Sequence, residues 1–517
     1  MSRTARLALN TASNAARLVV ATGVWIVLTP VMLRGLGVEE YGTWQLAGSV
    51  LGLFQLLDAG FGVGVIRAVG HAAGDQDTDR RNRMLSTYLV AYLVMGLIAA
   101  AALSMFGLFF PRLFSLPAAL GGRAQLVLWL LGLRVVVLAL PLSLYRGVLI
   151  GEQRLGLVNL IQTISQITYG ALFVLALQRG AGIVALAAIS LATMLAEHAV
   201  YAVLAFRLTP GLRVSPALAH FSLLRQTMSL SAAQLLIALS GLILLRTDPL
   251  IVQVFVGLSG VAAYTIALRV AEQAFLGIKQ FVNALSPVVA QLHGTGDEGM
   301  QRVILLSGTK LAMVPAALLG GLTIALGRQA LELWVGPDVA TIAPVMTVLV
   351  LAMMLTVPQE IVFNLFTYTD RHALPGRAAV AGALVNLGAT IALAPKLGLL
   401  GIALGTLTAT LVVDVFWVLG AACRAYSVRY VDYIRAALLP PLALTVPLVA
   451  VTSMLVHVRP PASLLAVAAY ALPGVALFLG LFWIVGLTDD ERRRIHPRTV
   501  FGARTSAPGR AVAELAS

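Results

Sequence analysis

Long apolar runs recur along the whole chain, and they restrict the possible folds more than any other feature of the sequence. Runs of eighteen or more apolar residues are typical of membrane-spanning helices of about twenty residues. Charged residues make up only 11% of the chain, whereas soluble domains carry about twice that share. The alternating segments of a transmembrane barrel are absent from the sequence. The chain is therefore predicted to be an all-α polytopic membrane protein.

About fourteen transmembrane helices are predicted, and the loops between them are short. The seventh contains "RTDPL" (246–250), whose charges and proline predict one kinked helix, because neighbouring helices can satisfy the freed backbone groups. Short loops leave no room for a separate soluble catalytic domain. The predicted spans are 13–35, 43–68, 85–110, 124–149, 155–178, 182–206, 228–253, 260–286, 303–327, 340–366, 376–395, 399–421, 437–457 and 462–487.

The basic residues predict which way the helices cross the membrane. They concentrate at alternate ends of the apolar runs, as in "DRRNR" (79–83) and "DDERRRIHPR" (489–498). Lys and Arg collect on the cytoplasmic side of membrane proteins, so both termini are expected in the cytoplasm. The net charge of +14 is thus explained by topology, and nucleic acid is not an expected partner.

Signatures of soluble enzymes are missing from the sequence. Cys423 is the single cysteine, which excludes an intrachain disulfide and a cysteine-based metal site. The stretch "GFGVG" (60–64) follows no strand and lies in a predicted span, so it is not a dinucleotide loop. No HExxH or Walker sequence occurs. We expect no cofactor, no metal and no enzymatic activity.

Three short sequence echoes indicate an internal repeat of six spans. An even period gives parallel repeats, and transporters built this way hold the substrate between their halves and rock them. The echoes pair Tyr41 and 74–86 with Tyr264 and 296–307, "LVNL" at 157–160 with the same letters at 384–387, and "ATMLAE" (192–197) with "ATLVVD" (409–414). The predicted domains are six-helix bundles at 1–210 and 211–425, two additional helices at 426–487, and a basic cytoplasmic tail at 488–517.

Two stretches of the sequence resemble a known family. They are "LGVEEYGTWQLAGSVLGLFQLLDAGFGVGVIR" (36–67) and "YRGVLIGEQR" (145–154). With the charged 71–83 loop and the six-plus-six-plus-two organisation, they resemble bacterial polysaccharide exporters of the multidrug/oligosaccharidyl-lipid/polysaccharide (MOP) superfamily, relatives of the MATE exporters. The matching residues of the first stretch are Tyr41, Gly42, Trp44, Asp58, Gly60 and Arg67.

This resemblance implies a flippase in the bacterial inner membrane. Its substrate would be an undecaprenyl-diphosphate-linked oligosaccharide, an O-antigen or exopolysaccharide repeat unit. It would move by alternating access, driven by the membrane potential or an ion gradient. The implied partners are the lipid-linked oligosaccharide, membrane lipid, and the polysaccharide polymerase and export machinery.

Five arginines in the predicted spans are candidates for binding that substrate. Arg134 lies about 15 Å into its span, near the midplane, and Arg269 lies at a similar depth. Each could line a cavity or form a structural ion pair. Arg17, Arg67 and Arg146 lie near cytoplasmic ends, where they could snorkel to the interface or meet an entering diphosphate.

Acidic residues in the spans have two readings as well, ion coupling or structure. Glu272 follows Arg269 by three residues, so the two share a helix face. Asp58 could pin helix packing beside the glycines or take part in proton coupling. Glu197 and Asp414 occupy matching points of the repeat, which suits either a proton relay or equivalent packing. For Asp248 and Arg246, beside Pro249, a structural role is favoured.

Two rival functions remain open at this point. A MATE-like drug/cation antiporter would need a cavity rich in carboxylates and aromatic rings, whereas the spans hold at least as many arginines as acids. A membrane glycosyltransferase or polymerase would need a substantial extramembrane loop for sugar chemistry.

Overall fold

The computed structural model describes the chain except residues 1–2, 55–61, 63, 67, 71–76, 221, 223–245, 285–297, 368–372, 489–490 and 493–517. The described residues are almost entirely helical and contain no strand. Ten helices within these ranges are long and apolar enough to cross a membrane. The longer helices are α1 Arg3–Leu36, α2 Val38–Phe54, α3 Thr78–Leu113, α4 Ala118–Gly151, α5 Leu155–Gln178, α6 Ile183–Leu208, α7 Asp248–Phe255, α8 Leu258–Ala284, α9 Gly299–Val335, α10 Ala343–Thr367, α11 Ala373–Ala425, α12 Tyr430–Val458 and α13 Leu464–Gly486.

The predicted all-α membrane fold is confirmed, and most predicted spans coincide with these helices. Side chains such as Leu465, which is 80% exposed, face outward and suit contact with lipid. The spans predicted at 43–68 and 228–253 lie partly outside the described residues. The count of fourteen therefore stays a prediction.

Two predicted spans, 376–395 and 399–421, are joined in α11 by a turn at a single glycine. Gly398 has φ 55° and ψ −132°, a backbone conformation that favours glycine. The two halves of α11 on either side of Gly398 run back along each other. A hydrogen bond of 3.0 Å from Asn386 Nδ2 to Thr406 Oγ1 joins them. Gly405 packs against Thr390, where a side chain would overlap. The pair is a helical hairpin without a separate loop.

The Tyr41-Gly42 and Trp44 motif is used for packing between helices. Gly42 lies against the carbonyl oxygen of Leu258, where a Cβ would overlap that atom. The ring of Trp44 meets Phe173 edge-on, with 5.7 Å between centroids. Tyr41 is buried. These contacts account for the resemblance in this stretch through close helix approach, since small residues allow backbones to come together in membranes.

Asp248, beside Pro249, is held by contacts within the neighbouring helices. Helix α7 begins at Asp248 with Pro249 in its first turn, and the chain bends at Thr247 directly before it. Asp248 is buried and accepts a hydrogen bond from the hydroxyl of Tyr264 at 2.6 Å. This contact agrees with a structural role for Asp248. The first part of the predicted kinked helix, 223–245, lies outside the described residues.

The basic run at 79–83 is joined to a second loop at the same end of its helices. Arg81 donates to the carbonyl of Pro210 at 2.9 Å, and Asn82 donates to that of Gly211 at 2.8 Å. The backbone N–H of Arg213 donates to Asn82 at 3.2 Å. Both loops therefore lie on one side of the membrane, as the predicted alternation of basic residues requires.

The chain divides into two compact units, Met1–Thr265 and Ile266–Ser517. In the first, a buried core contains Tyr92 and Tyr201, and in the second a larger core contains Phe366 and Tyr433. The predicted domains at 1–210, 211–425, 426–487 and 488–517 follow the repeat rather than compactness, and they remain a prediction.

The end of α13 is fastened to α9 by a buried ion pair. Lys310, with a side chain only 7% exposed, donates to Glu491 at 2.8 Å. Glu491 also accepts from the backbone N–H of Thr488 at 2.8 Å. Burial favours a higher pKa for Glu491, but the hydrogen bonds from Lys310 and Thr488 outweigh it and leave the pKa below its ordinary value. The charged carboxylate therefore stabilises this junction.

Glu491→Gln is expected to lower thermal stability more than Lys310→Met does. The first change leaves a buried ammonium without its counter-charge and costs about 2 kcal/mol, whereas the second leaves a partly exposed carboxylate that water can solvate. Thermal unfolding of the two purified variants in one detergent measures the difference. Equal losses, or a larger loss for Lys310→Met, would contradict the assignment.

The wild-type protein should also lose this stabilisation on acidification. Because the folded pKa of Glu491 is depressed, the contribution is complete above the pKa of an unfolded glutamate and disappears as the pH falls through the lower folded value. Glu491→Gln should remove this part of the pH dependence.

Candidate functional site

Arg134 lies at the middle of α4, 16 residues after Ala118 and 17 before Gly151. The backbone around it, Leu133–Leu138, is a π-helix. Pro141 follows directly and cannot donate a hydrogen bond to the carbonyl of Val137, so the regular α-helical pattern is interrupted there. The wider turn sets the direction of the Arg134 side chain within the membrane.

The guanidinium of Arg134 is half-buried, and its Nε atom is buried without a hydrogen-bond partner among the described residues. Two side chains lie within electrostatic range: Tyr169 on α5 and His198 on α6. Neither supplies a negative charge by itself. Arg134 thus retains donors for an external acceptor.

Arg17 and Arg146 lie nearer the ends of α1 and α4 that are on the same side as the start of α3 at 79–83. Both are within electrostatic range of Tyr201 on α6. Arg17 donates to Asn14 on its own helix at 3.0 Å. Helix α1 is fixed to α5 by a hydrogen bond from Asn159 to Ser13 at 2.9 Å, which keeps Arg17 close to the other two helices.

Glu197 is the acid on this part of α6, and two hydroxyl groups hold it in place. Ser165 donates to one carboxylate oxygen at 2.7 Å, and Tyr201 donates to the other at 3.0 Å. These two hydrogen bonds fix the Glu197 carboxylate between helices α5 and α6.

We refer to Arg17, Arg134 and Arg146, which lie within electrostatic range of His198 or Tyr201 beside Glu197 on α6, as the arginine cluster. Three positive charges and one negative charge leave a formal balance of +2. Arg134 and Arg146 are twelve residues apart on α4, about 18 Å along its axis. The cluster is thus a track from one membrane face to the midplane. Arginine forks bind phosphate oxygens in pairs, so the track suits a phosphate or diphosphate group.

The second unit holds its membrane charges in pairs. Arg269 donates to Glu272 at 3.0 Å, three residues along α8, as their spacing predicts. Lys279 donates to Glu360 of α10 at 2.9 Å. Asp414 lies in the π-helical stretch Thr410–Val418 of α11. These contacts leave the unit without an excess of positive charge at this depth in its described part.

Asp414 has polar neighbours of its own. It hydrogen bonds with Thr356 and lies within electrostatic range of Glu360. Of these two neighbouring carboxylates, Glu360 is the one that pairs with Lys279. In the described part of the chain, no group of three His, Cys, Asp or Glu side chains is arranged to hold a metal ion.

The arrangement brings together three of the five predicted arginines. Arg17, Arg134 and Arg146 lie within electrostatic range of His198 or Tyr201, on the part of α6 that carries Glu197. Arg269 belongs to the separate pair in the second unit. Arg67 and Asp58 lie outside the described residues. Their roles, like those of all these residues, stay a prediction.

Sequence reasoning missed four side chains of these networks. Lys279 and Glu360 are charges inside predicted spans, so the cost of burying them is a signal that was present in the sequence. Ser165 and Tyr201 have no such signal, because hydroxyl residues are common in membrane helices. Only the fold reveals that they hold Glu197.

The comparisons with known proteins bear on the family and on the fold. The family model described as "Polysaccharide biosynthesis protein" matches residues 7–293. The chain belongs to this family. That match runs from α1 through α8 and therefore includes the whole arginine cluster.

Relatives and solved structures agree with the assignment. The chain is 24% identical over 410 residues to the "Uncharacterized membrane protein EpsK" of Bacillus subtilis (strain 168), covering 77% of this chain and 79% of that protein. It is similar to the lipid II flippase MurJ in an inward closed conformation, with a TM-score of 0.71, 13% identity, and 92% and 98% of the two chains covered. An inward-facing MATE multidrug transporter of the MOP superfamily matches with a TM-score of 0.67, 16% identity, and coverages of 84% and 100%. The predicted MOP-superfamily fold is confirmed.

Glu197→Gln is expected to strengthen the binding of inorganic pyrophosphate by on the order of tenfold, because it removes a negative charge from the arginine cluster. Glutamine keeps an oxygen that can accept a hydrogen bond from Ser165 or Tyr201. Titration calorimetry on protein in nanodiscs gives the affinities. The matched control is Glu332→Gln, which removes an acid of equal charge that pairs with Arg328 at the protein surface. Unchanged or weaker binding by Glu197→Gln would contradict the cluster's role.

Proposed function

We propose that this protein is a flippase that carries a polyprenyl-diphosphate-linked oligosaccharide across the bacterial inner membrane by secondary transport. The observation that carries the proposal is the arginine cluster, in which three guanidinium groups lie near a part of α6 that carries one carboxylate, Glu197. The diphosphate is the anion that these groups would bind. No catalytic chemistry is assigned to the chain.

The charge balance of the cluster favours an anionic substrate. Each unpaired charge in a membrane interior costs at least ~2.5 kcal/mol by insertion scales, so an excess of cations is retained only where a ligand or water compensates it. A carrier of organic cations needs the opposite balance. The MATE-like drug antiporter is therefore the weaker alternative for this unit.

The comparisons support the proposal through family and fold. The family is described by its role in polysaccharide biosynthesis, and one similar structure is named as a flippase for lipid II. Both descriptions concern glycans or their lipid-linked precursors. They favour a lipid-linked glycan over a drug as the cargo, and polymerase and export proteins as later partners.

The direction of transport follows from the expected topology. With both termini in the cytoplasm, the start of α3 at 79–83 and its partner loop at 209–213 face the cytoplasm. Arg17 and Arg146 lie at the same end of their helices. A diphosphate made in the cytoplasm would meet these two arginines first. Arg134 would receive it at the midplane.

Two sources of energy fit the observed charges. The potential acts on the diphosphate itself, with ~2.3 kcal/mol per charge per 100 mV. Glu360, which pairs with Lys279, and Asp414 beside it are the described acids best arranged to exchange a proton or cation. We favour the potential as the driving force, because it needs no coupling residue.

Arg134→Ala is expected to abolish glycan export while the protein still folds and inserts. Arg134→Lys should restore only part of the export, because lysine keeps the charge but loses the bidentate fork. Surface polysaccharide is measured in cells that express each variant at equal level. Arg328→Ala, at an exposed arginine paired with Glu332, is the control and should export normally. Normal export by Arg134→Ala would refute the substrate role.

Collapse of the membrane potential at constant pH gradient is expected to stop flipping of a polyprenyl-diphosphate glycan in proteoliposomes. The potential acts on the net charge moved, so Asp414→Asn and Glu197→Gln variants that retain activity should show the same loss. Flipping that follows the pH gradient alone, and that Asp414→Asn or Glu197→Gln uncouples, would replace this mechanism with proton antiport.

A further inference from the structure

A cavity in the second unit opens where three helix ends meet. The end of α10, the start of α11 and the end of α11 lie around it, since the Gly398 hairpin brings both ends of α11 to the same face. The cavity has a volume of about 420 Å³. Its lining residues are Phe366, Ala373, Leu374, Arg377, Ala421, Arg424 and Ala425.

The residues that line this cavity are apolar except for two arginines. Arg377 and Arg424 are both exposed, and neither forms an ion pair with a described residue. Two guanidinium groups therefore direct positive charge at an otherwise apolar space.

This combination selects an amphipathic anion. A free phosphate would use the arginines but gain nothing from Phe366, Leu374 and the alanines. A purely apolar ligand would leave both charges unused. Basic pockets between helices at the cytoplasmic side of membrane proteins bind anionic lipid headgroups, whose acyl chains cover the neighbouring apolar surface.

We propose that this cavity is a binding site for one anionic phospholipid of the cytoplasmic leaflet. Arg377 and Arg424 bind the phosphate, and the upper part of an acyl chain lies against Leu374 and Phe366. The site lies in the second unit, apart from the residues of the arginine cluster. It stands independently of the transport substrate.

Phosphatidylglycerol is the probe for this site, in native mass spectrometry of the purified full-length protein. The wild type should retain one molecule that the double variant Arg377→Gln/Arg424→Gln binds roughly thirtyfold more weakly. Arg377→Lys/Arg424→Lys should bind more tightly than the glutamine variant, because it keeps both charges. Each single glutamine variant, expected to lose roughly fivefold, serves as the test if the double variant does not fold.

The matched control is Arg429→Gln/Arg435→Gln, which removes the same charge from exposed arginines near the start of α12 and outside the cavity. An equal loss in that control would overturn the site, as would undiminished binding by Arg377→Gln/Arg424→Gln. Equal binding of phosphatidylcholine, equally tight binding of inorganic phosphate, or preferential displacement by a polyprenyl phosphate would overturn the assignment to an anionic phospholipid.

Discussion

The cost of placing charge in hydrocarbon governs the use of nearly every polar residue in this protein. In the second unit the cost is met by partners within the chain: Arg269 with Glu272, and Lys279 with Glu360. In the first unit, the three arginines of the cluster lie near a part of α6 that carries one acid, Glu197. Charges inside membrane helices usually face the protein interior and mark a pathway. The proposed substrate site therefore lies where arginines outnumber acids, and the charges of α8 and α10 form pairs.

Two of the candidate site residues lie in π-helical stretches, where the backbone departs from a regular α-helix. Arg134 occupies a π-helical stretch that ends at Leu138, three residues before Pro141, and Asp414 occupies another in α11. Further π-helical stretches occur near Lys310 and in α12 and α13, so the feature alone does not identify a site. Its effect is geometric. A wider turn shifts the following side chains around the helix axis, and hydrophobic periodicity read from the sequence assumes that no such shift occurs.

The sequence predicted the features that depend on the surrounding lipid or water and on residues close together in the chain, such as helix ends and pairs within one helix. Helix α5 spans the predicted residues 155–178, because charged residues at 154 and 179 mark both ends of its apolar run. The pairing of Arg269 with Glu272 follows from helix geometry. Contacts between distant segments were beyond reach: Lys310 meets Glu491 from 181 residues away, and Ser165 meets Glu197 from an adjacent helix. Such pairs depend on which helix faces join, and apolar periodicity does not encode that choice.

The glycine turn in α11 lets a small change of backbone angle produce a large movement at the two ends of that helix. Its two arms meet at Gly398 without slack, so they can separate only by changing the angle at that residue. The arm that ends at Ala425 is about 40 Å long at 1.5 Å per residue, and a change of about 5° moves its far end by roughly 3.5 Å. The far ends are the walls of the cavity that holds Arg377 and Arg424. A molecule bound between these helix ends would therefore change the angle at Gly398, at the opposite membrane face, by acting at the greatest distance from it.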